Sequence, residues 1–183
     1  MANGHTSVTE AIILKRYNTG EADRILTVFT PEQGKLRCVA KGVRKLKSSQ
    51  GAFLEPGNLV DIFLVQTKTL PLVTQTRLVQ QFPIARSSLK RMKQLWQILE
   101  IAETLLPEGV EEPELFRWFV AILEDLDSEK PRYADIQHAL NQIMMSLGYQ
   151  SLEETTYNTI GEYVAVVADK PMHSYDFLSV GEV

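Results

Sequence analysis

The hydrophobic periodicity of this chain changes once, near Pro83, and that change limits the possible folds more than any other feature. Before Pro83, short runs rich in β-branched and aromatic residues alternate with turns that contain Gly, Pro or Asn, as antiparallel strands do. We predict five strands, at residues 11–17, 23–30, 35–43, 59–65 and 71–79. Strands at this spacing without intervening helices favour a small barrel or sandwich. The polar, basic segment 44–52 is predicted to be a mobile loop.

After Pro83 the apolar residues recur at helical spacing. We predict three helices: one capped by Ser87 or Ser88 that runs to about residue 106, one at 113–126, and one at 133–147 that Gly148 caps at its C-terminus. Residues 159–168 are predicted to form a helix or a strand. Residues 170–183 are predicted to be a loosely held tail. On the first helix one stripe of residues is expected to be buried: Leu89, Met92, Trp96, Leu99 and Ala102. Trp96 and Trp118 are both expected in the helical core. The prediction is an α+β chain with a barrel domain at 1–82 and a helical domain at 83–183.

The charges divide at almost the same place. Residues 1–93 hold 15 of the 19 Lys and Arg but 6 of the 23 Asp and Glu, a net charge of +9, and residues 94–183 carry −13. A sign division of this size indicates a polyanion-binding surface on the basic half. The acidic half would repel phosphate, so we expect it to serve packing, dimerisation or a protein partner.

Catalytic and metal-binding patterns are missing from the sequence. The three histidines lie in unrelated contexts, and no nucleotide-binding or nucleophile motif is present, so we expect no enzyme activity, metal or cofactor. Cys38, the one cysteine, alternates with Leu36 and Ala40 and is predicted to be a buried apolar residue. The N-terminus has no secretory pattern and no apolar run could span a membrane, so we expect a cytoplasmic protein.

A run of cations in and after the third strand is the most specific functional pattern. Lys35, Arg37 and Lys41 share one strand face, and Arg44, Lys45 and Lys47 continue the row without an acid among them. Such a row could follow a phosphate backbone, or it could be a solvated face kept for solubility. Several other residues could extend a binding surface: Lys15, Arg16 and Arg24 as cations, and Tyr17, Phe29 and Phe53 as stacking platforms. A local ion pair with Asp23 is an equal alternative for Arg24, and core packing is favoured for Phe29.

A five-stranded barrel with a basic face is typical of an OB-fold. An ordered set of short motifs resembles the bacterial recombination-repair mediator family RecO: GEADRILTVFT at 20–30, Gly34, VAKGVR at 39–44, Lys47-Ser48, Leu54-Glu55-Pro56, LLPE at 105–108, ELF at 114–116 and LGY at 147–149. The resemblance covers roughly residues 11–150. Many family members carry four zinc-binding cysteines after the last motif, whereas residues 153–169 here contain none.

The resemblance implies a non-enzymatic, nucleoid-associated protein of the RecFOR pathway. Such a protein binds single- and double-stranded DNA, anneals complementary strands, and helps to load RecA onto DNA coated with single-stranded-DNA-binding protein (SSB). Its implied partners are the SSB C-terminal tail and RecR. The implied DNA-binding residues are Arg24, Lys35, Arg37, Lys41, Arg44, Lys45 and Lys47. For the SSB tail, the candidates are Arg117 beside Trp118, or Lys90, Arg91 and Lys93. The alternative function is an adaptor whose basic barrel docks an acidic protein.

Overall fold

The computed structural model describes residues 6–174 of the chain. Five strands precede four helices: β1 (Thr6–Thr19), β2 (Asp23–Thr30), β3 (Gly34–Ala40), β4 (Leu59–Val65), β5 (Leu72–Gln80), α1 (Leu89–Leu105), α2 (Pro113–Leu126), α3 (Tyr133–Ser146) and α4 (Ile160–Val167). The α+β class is confirmed. Segment 159–168, which the sequence left open, is helical, and the predicted tail beyond Ser174 lies outside the described residues. No described helix is long and apolar enough to cross a membrane.

The strands close into a barrel in the order β1-β2-β3-β5-β4. Neighbouring strands are antiparallel except β3 and β5, whose parallel pairing joins Val39 to Leu72 and Ala40 to Val73. The long strand β1 pairs with β4 through its first half and with β2 through its second, and its register shifts between Ile13 and Lys15. A bulge of this kind bends a strand and lets it serve two neighbours. The closed five-stranded barrel confirms the OB-fold prediction.

The barrel interior is filled by alternate residues of every strand, as the period of two requires. Leu26, Cys38 and Ile62 are fully buried there, and Leu36 packs partly against them. The predicted inward face of the third strand is therefore confirmed. That strand ends at Ala40 rather than at residue 43, because Gly42 adopts a left-handed φ of +67° and turns the chain.

A later part of the chain returns to the barrel. Two compact units are formed: Met1–Gln81 with Pro107–Phe116, and Phe82–Leu106 with Arg117–Val183. The Lys35 amide donates to the Pro107 carbonyl at 3.3 Å, and the Gly109 amide donates to the Lys35 carbonyl at 3.0 Å. The Phe116 ring packs 5.6 Å from that of Phe29. The returning segment thus covers the beginning of β3 and the buried outer side of β2.

Gly34 makes the close approach of this segment possible. Its φ is +60°, a left-handed value that favours glycine. A Cβ atom at this position would overlap the carbonyl oxygen of Val110. The position therefore requires glycine both for its backbone angle and for its lack of a side chain.

The second unit is a group of helices with defined ends. Ser88 caps α1 by accepting a hydrogen bond from the Arg91 amide at 3.3 Å, and Thr159 caps α4 in the same way. Gly148, at φ +90°, follows α3 as predicted. Within this unit, the buried apolar residues of α2 are Phe119, Ile122, Leu123 and Leu126.

The buried face of α1 differs from the predicted one. Of the predicted stripe, Leu99 and Ala102 are buried, but Trp96 is 53% exposed and Leu89 is also exposed. Leu95 and Ile98 are buried instead. Trp118 on α2 is 38% exposed. The prediction that both tryptophans lie in the core is wrong. Helix α1 has apolar residues on two faces, and the face that packs inward combines aliphatic residues with two buried glutamines, Gln94 and Gln97.

Two polar clamps connect distant parts of this unit. The Arg91 guanidinium donates to the carbonyls of Leu126 at 2.9 Å, Ser128 at 2.7 Å and Glu129 at 2.9 Å, at the end of α2. The Glu100 carboxylate accepts hydrogen bonds from the amides of His173 at 2.6 Å and Ser174 at 2.7 Å. Burial alone would raise the pKa of Glu100, but the bonds from Ser174 and His173 together lower it below its ordinary value.

Candidate nucleic-acid interface

The outer surface of β1, β2 and β3 carries two rows of side chains at its uncovered end. The strand registers align Lys15 with Thr27 and Thr27 with Arg37, and align Tyr17 with Ile25 and Ile25 with Val39. We call these six residues the outer β-face. Lys15 and Arg37 lie two strand spacings apart, roughly 10 Å. One row therefore carries a cation at each edge, Lys15 and Arg37, and the neighbouring row consists of Tyr17, Ile25 and Val39.

Tyr17 is the aromatic residue of the outer β-face. It is 46% exposed, and the Lys15 ammonium lies 5.2 Å from its ring centroid. The prediction of core packing for Phe29 is confirmed, and Phe53 packs partly against the barrel core. Of the three aromatic candidates, Tyr17 is thus the one whose ring is open to a base.

The chain after β3 forms a basic turn, residues 41–47, that continues this surface. Lys41, Arg44, Lys45 and Lys47 are all exposed, and Arg37 is exposed on the strand before them. The turn is fixed to the start of β2 and to the residue before it, because the Gly42 amide donates to the Asp23 carboxylate at 2.7 Å and the Arg44 amide donates to the Ala22 carbonyl at 2.9 Å. Five predicted site cations therefore face solvent together, on or next to a well-bonded turn.

Lys35 lies at the covered end of β3. Its side chain is half-buried, and its backbone is bonded to the segment 107–109. The cation is in the predicted row by register, opposite Phe29, but the returning segment narrows the space above it. Lys35 therefore lies at the margin of the basic surface, with only part of its side chain open to solvent.

Arg24 has a different environment from the other predicted cations. Its side chain is 12% exposed and donates to the Gly51 carbonyl at 2.8 Å and to the Glu55 carboxylate at 3.2 Å. The same carboxylate accepts from Arg16 at 2.9 Å. Arg24 has the strand parity of Leu26 and Val28, which point into the barrel, so it lies at the barrel end rather than on the outer β-face. Its ion pair is with Glu55, while Asp23 bonds to Gly42.

Lys68 was missed by the sequence analysis. It is exposed in the loop between β4 and β5, residues 66–71. The Val39 amide donates to the Pro71 carbonyl at 2.9 Å, which holds this loop beside the end of β3. The sequence pattern gave no reason to join the two, because the contact depends on the parallel β3–β5 pairing. Knowledge of the strand order would have brought Lys68 into the candidate site.

The described residues near these cations hold neither a reactive thiol nor a metal-binding cluster. Burial raises the pKa of the Cys38 thiol to about 12, and the side chain is fully buried, which confirms the prediction of a buried apolar residue. Within residues 6–174, no group of three or more His, Cys, Asp or Glu could hold a metal ion. The chemistry that the surface offers is electrostatic attraction and stacking.

The helical unit has a groove between α2 and α3. It has a volume of about 250 Å³ and is lined by Trp118, Ala121, Ile122, Asp125, Arg132, Asp135, Ile136, Ala139 and Gln142. Arg132 is paired with Asp135 at 2.8 Å and approaches Asp125 at 3.8 Å. Of the candidates for an acidic tail, Trp118 lies in this groove, whereas Arg91 is bonded to the end of α2.

Comparison with known proteins gives one family. The chain matches the family profiles described as "Recombination protein O N terminal" over residues 2–82 and "Recombination protein O C terminal" over residues 81–151. It is similar to proteins named DNA repair protein RecO from Dehalococcoides mccartyi, with 35% identity over 128 residues, 70% of this chain and 51% of the relative. The protein of that name from Geobacter metallireducens is 33% identical over 142 residues, 78% of this chain and 58% of the relative.

The similarity to a Synechococcus relative of the same name extends further along this chain. It reaches 34% identity over 182 residues, 92% of this chain and 64% of the relative. The chain thus spans between half and two thirds of the length of these curated relatives.

Proposed function

Because the chain belongs to the recombination protein O (RecO) family of DNA repair proteins, we propose that it binds single- and double-stranded DNA through the outer β-face and the basic turn. The observation that carries the proposal is the group of exposed cations, Arg37, Lys41, Arg44, Lys45 and Lys47, on or beside a turn fixed by backbone bonds. No Asp or Glu occurs between Glu32 and Glu55, so no neighbour in this segment neutralises them.

The mechanism follows from charge and stacking. Cations on the turn replace the counterions of the phosphates, and release of those counterions drives binding. Tyr17 offers a ring on which a base can stack, and Lys15 and Arg37 lie in the row of side chains next to it. A surface that neutralises two strands at once reduces their mutual repulsion, which favours annealing. Lys35 and Lys68 lie at the margins of this surface. Arg24 acts indirectly, by holding the segment 51–55 that follows the basic turn.

The same proposal includes the partners of the pathway. We infer that the acidic half contacts SSB and RecR, so that RecA is loaded onto SSB-coated DNA. The SSB tail is acidic with an apolar end, and the α2–α3 groove supplies apolar walls and Trp118. Its cation, Arg132, is held by Asp135 and Asp125, so a tail carboxylate would take Arg132 from Asp135. A non-enzymatic, cytoplasmic and nucleoid-associated role accords with these interactions.

The first test is a fluorescence-anisotropy titration of a labelled thirty-nucleotide single strand over a salt series. About four to six phosphate contacts should give a log–log slope of roughly −3 to −4. Lys41→Ala with Arg44→Ala should weaken binding to all sequences alike and reduce the slope by about 1.4. The matched control is Lys130→Ala with Lys170→Ala, which removes two exposed cations from the other unit.

The outcomes separate the proposed surface from the adaptor alternative. Wild-type affinity in the Lys41, Arg44 double variant would remove the basic turn from the interface. No binding of the unaltered protein, even at low salt, would favour an acidic protein as the ligand of the barrel. For the SSB tail, Trp118→Ala and Arg132→Ala should each weaken the binding of an acidic peptide with an apolar end, measured by calorimetry.

A further inference from the structure

Leu46 lies at the tip of the basic turn and is fully exposed. Its relative exposure of 106% is the highest among the large apolar side chains in the described part of the chain. Its chain neighbours Lys45 and Lys47 are exposed as well. A leucine in this position gains no stability from burial within the barrel, and its side chain is available to a ligand.

The backbone around Leu46 is held on both sides. Before it, the Arg44 amide donates to the Ala22 carbonyl at 2.9 Å, and Val43 is buried. After it, the Ser48 amide donates to the Lys45 carbonyl at 2.9 Å, which closes a tight turn around the leucine. The turn therefore presents an apolar side chain from a backbone that is already hydrogen-bonded, which reduces the entropy lost when a ligand orders the turn.

We propose that Leu46 inserts between adjacent bases of the bound DNA, an inference that rests on the proposed DNA-binding function. The charges around it select this occupant, because Arg44, Lys45 and Lys47 would hold phosphates on both sides of the tip. Apolar side chains such as leucine separate base steps in several protein–DNA complexes, and the cost of unstacking is offset by apolar burial. The cations position the strand, and Leu46 opens one of its base steps.

The test compares Leu46→Ala on two labelled strands of equal length, one with natural bases and one built from abasic sugars. We expect the variant to bind the natural strand about fivefold more weakly, from loss of the buried leucine net of unstacking. On the abasic strand it should bind like the unaltered protein, because no bases are present to separate. The salt slope should stay unchanged on both strands, since no phosphate contact is lost. Val79→Ala, an exposed apolar residue near the far end of β5, is the matched control.

A second measurement reads the base step directly. A set of strands carries the fluorescent base 2-aminopurine at successive positions, one position in each strand. The fluorescence should increase at one position when the unaltered protein binds, and the increase should be smaller with Leu46→Ala. Equal affinity of the variant and the unaltered protein on both strands would overturn the insertion while leaving DNA binding intact. Equal weakening on both strands would also overturn it and assign Leu46 to the turn itself. Failure of the unaltered protein to bind either strand would overturn the insertion together with the proposed function.

Discussion

Replacement of Arg24 by alanine should weaken the barrel itself, although Arg24 belongs by sequence to the predicted DNA-binding cations. The guanidinium joins β2 to the segment 51–55 through the Gly51 carbonyl and the Glu55 carboxylate. Both acceptors belong to the part of the chain that follows the basic turn. The variant therefore loses the connection between β2 and the segment 51–55.

The magnitude follows from three contributions. Loss of the charged hydrogen bond to the Gly51 carbonyl costs about 2 kcal/mol. Loss of the pair with Glu55, which is 38% exposed and keeps Arg16, costs about 1 kcal/mol or less. The Arg24 Nε atom is buried and bonds to no acceptor among residues 6–174, so its removal returns about 1 kcal/mol. The net expectation is a barrel destabilised by about 2 kcal/mol.

The assay has to report on the barrel alone. Both tryptophans, Trp96 and Trp118, belong to the helical unit, so their fluorescence does not follow the barrel. Amide hydrogen exchange of peptides covering β2 and β3 measures barrel opening directly. The charge-matched comparison is Arg37→Ala, which should change stability by less than about 0.5 kcal/mol and reduce the salt slope of DNA binding by about 0.7. An Arg24→Ala variant with unchanged exchange and a reduced salt slope would refute the structural role and make Arg24 a DNA ligand.

Three further predictions concern other contacts of the fold. Gly34→Ala should destabilise the barrel by about 3 kcal/mol or more in hydrogen exchange, from left-handed strain together with overlap at Val110. Arg91→Ala should lower the free energy of unfolding of the helical unit by about 2–3 kcal/mol, followed by tryptophan fluorescence in urea, because three carbonyls at the end of α2 lose their donor. Glu100→Gln should cost about 1–2 kcal/mol at pH 7. Since the folded pKa of Glu100 is lowered, its stabilisation is full above its ordinary value of 4.5 and is lost as the pH falls through the folded pKa, so the difference from the variant should shrink there.

Each of these has a control within the chain. Gly20→Ala has a left-handed φ of +53° but open space around its Cβ, so it should show the strain without the overlap, and equal effects at both glycines would contradict the close approach. Lys130→Ala, at an exposed position, is the control for Arg91→Ala. A similar change in the free energy of unfolding in both variants would show that the hydrogen bonds of Arg91 do not stabilise the unit. A Glu100→Gln effect that stays constant between pH 7 and pH 3 would show that the carboxylate charge has no part in holding Ser174.

The sequence predicted those parts of the fold that depend on local pattern. Leu36, Cys38 and Ala40 point inward because a strand has a period of two, and five runs of this length leave a barrel among few solutions. The exposure of Arg37 follows from the same local rule. The adjacent residues Arg37 and Cys38 could thus be assigned to opposite faces of the strand without knowledge of any partner strand.

The parts that could not be predicted depend on pairings between distant residues. The ion pair of Arg24 with Glu55 joins positions 31 residues apart, and no spacing rule connects them. Lys68 reaches the site through two parallel residue pairs at the end of β3. On α1, Trp96 and Leu95 are adjacent in sequence and both apolar, and the helices packed against α1 decide which one is buried.

The return of residues 107–116 to the barrel has a consequence for the order of folding during synthesis. The five strands have all been made by residue 80, yet Phe29 and the amide of Lys35 gain their cover only from residues that follow α1. At about 5–20 residues per second, the ribosome adds the missing segment roughly 2–7 seconds after the last strand. During that interval a nascent barrel would expose an aromatic side chain and an open stretch of strand edge, the features that chaperones and neighbouring nascent chains recognise. The rate of translation over this interval therefore sets how long this vulnerable intermediate persists.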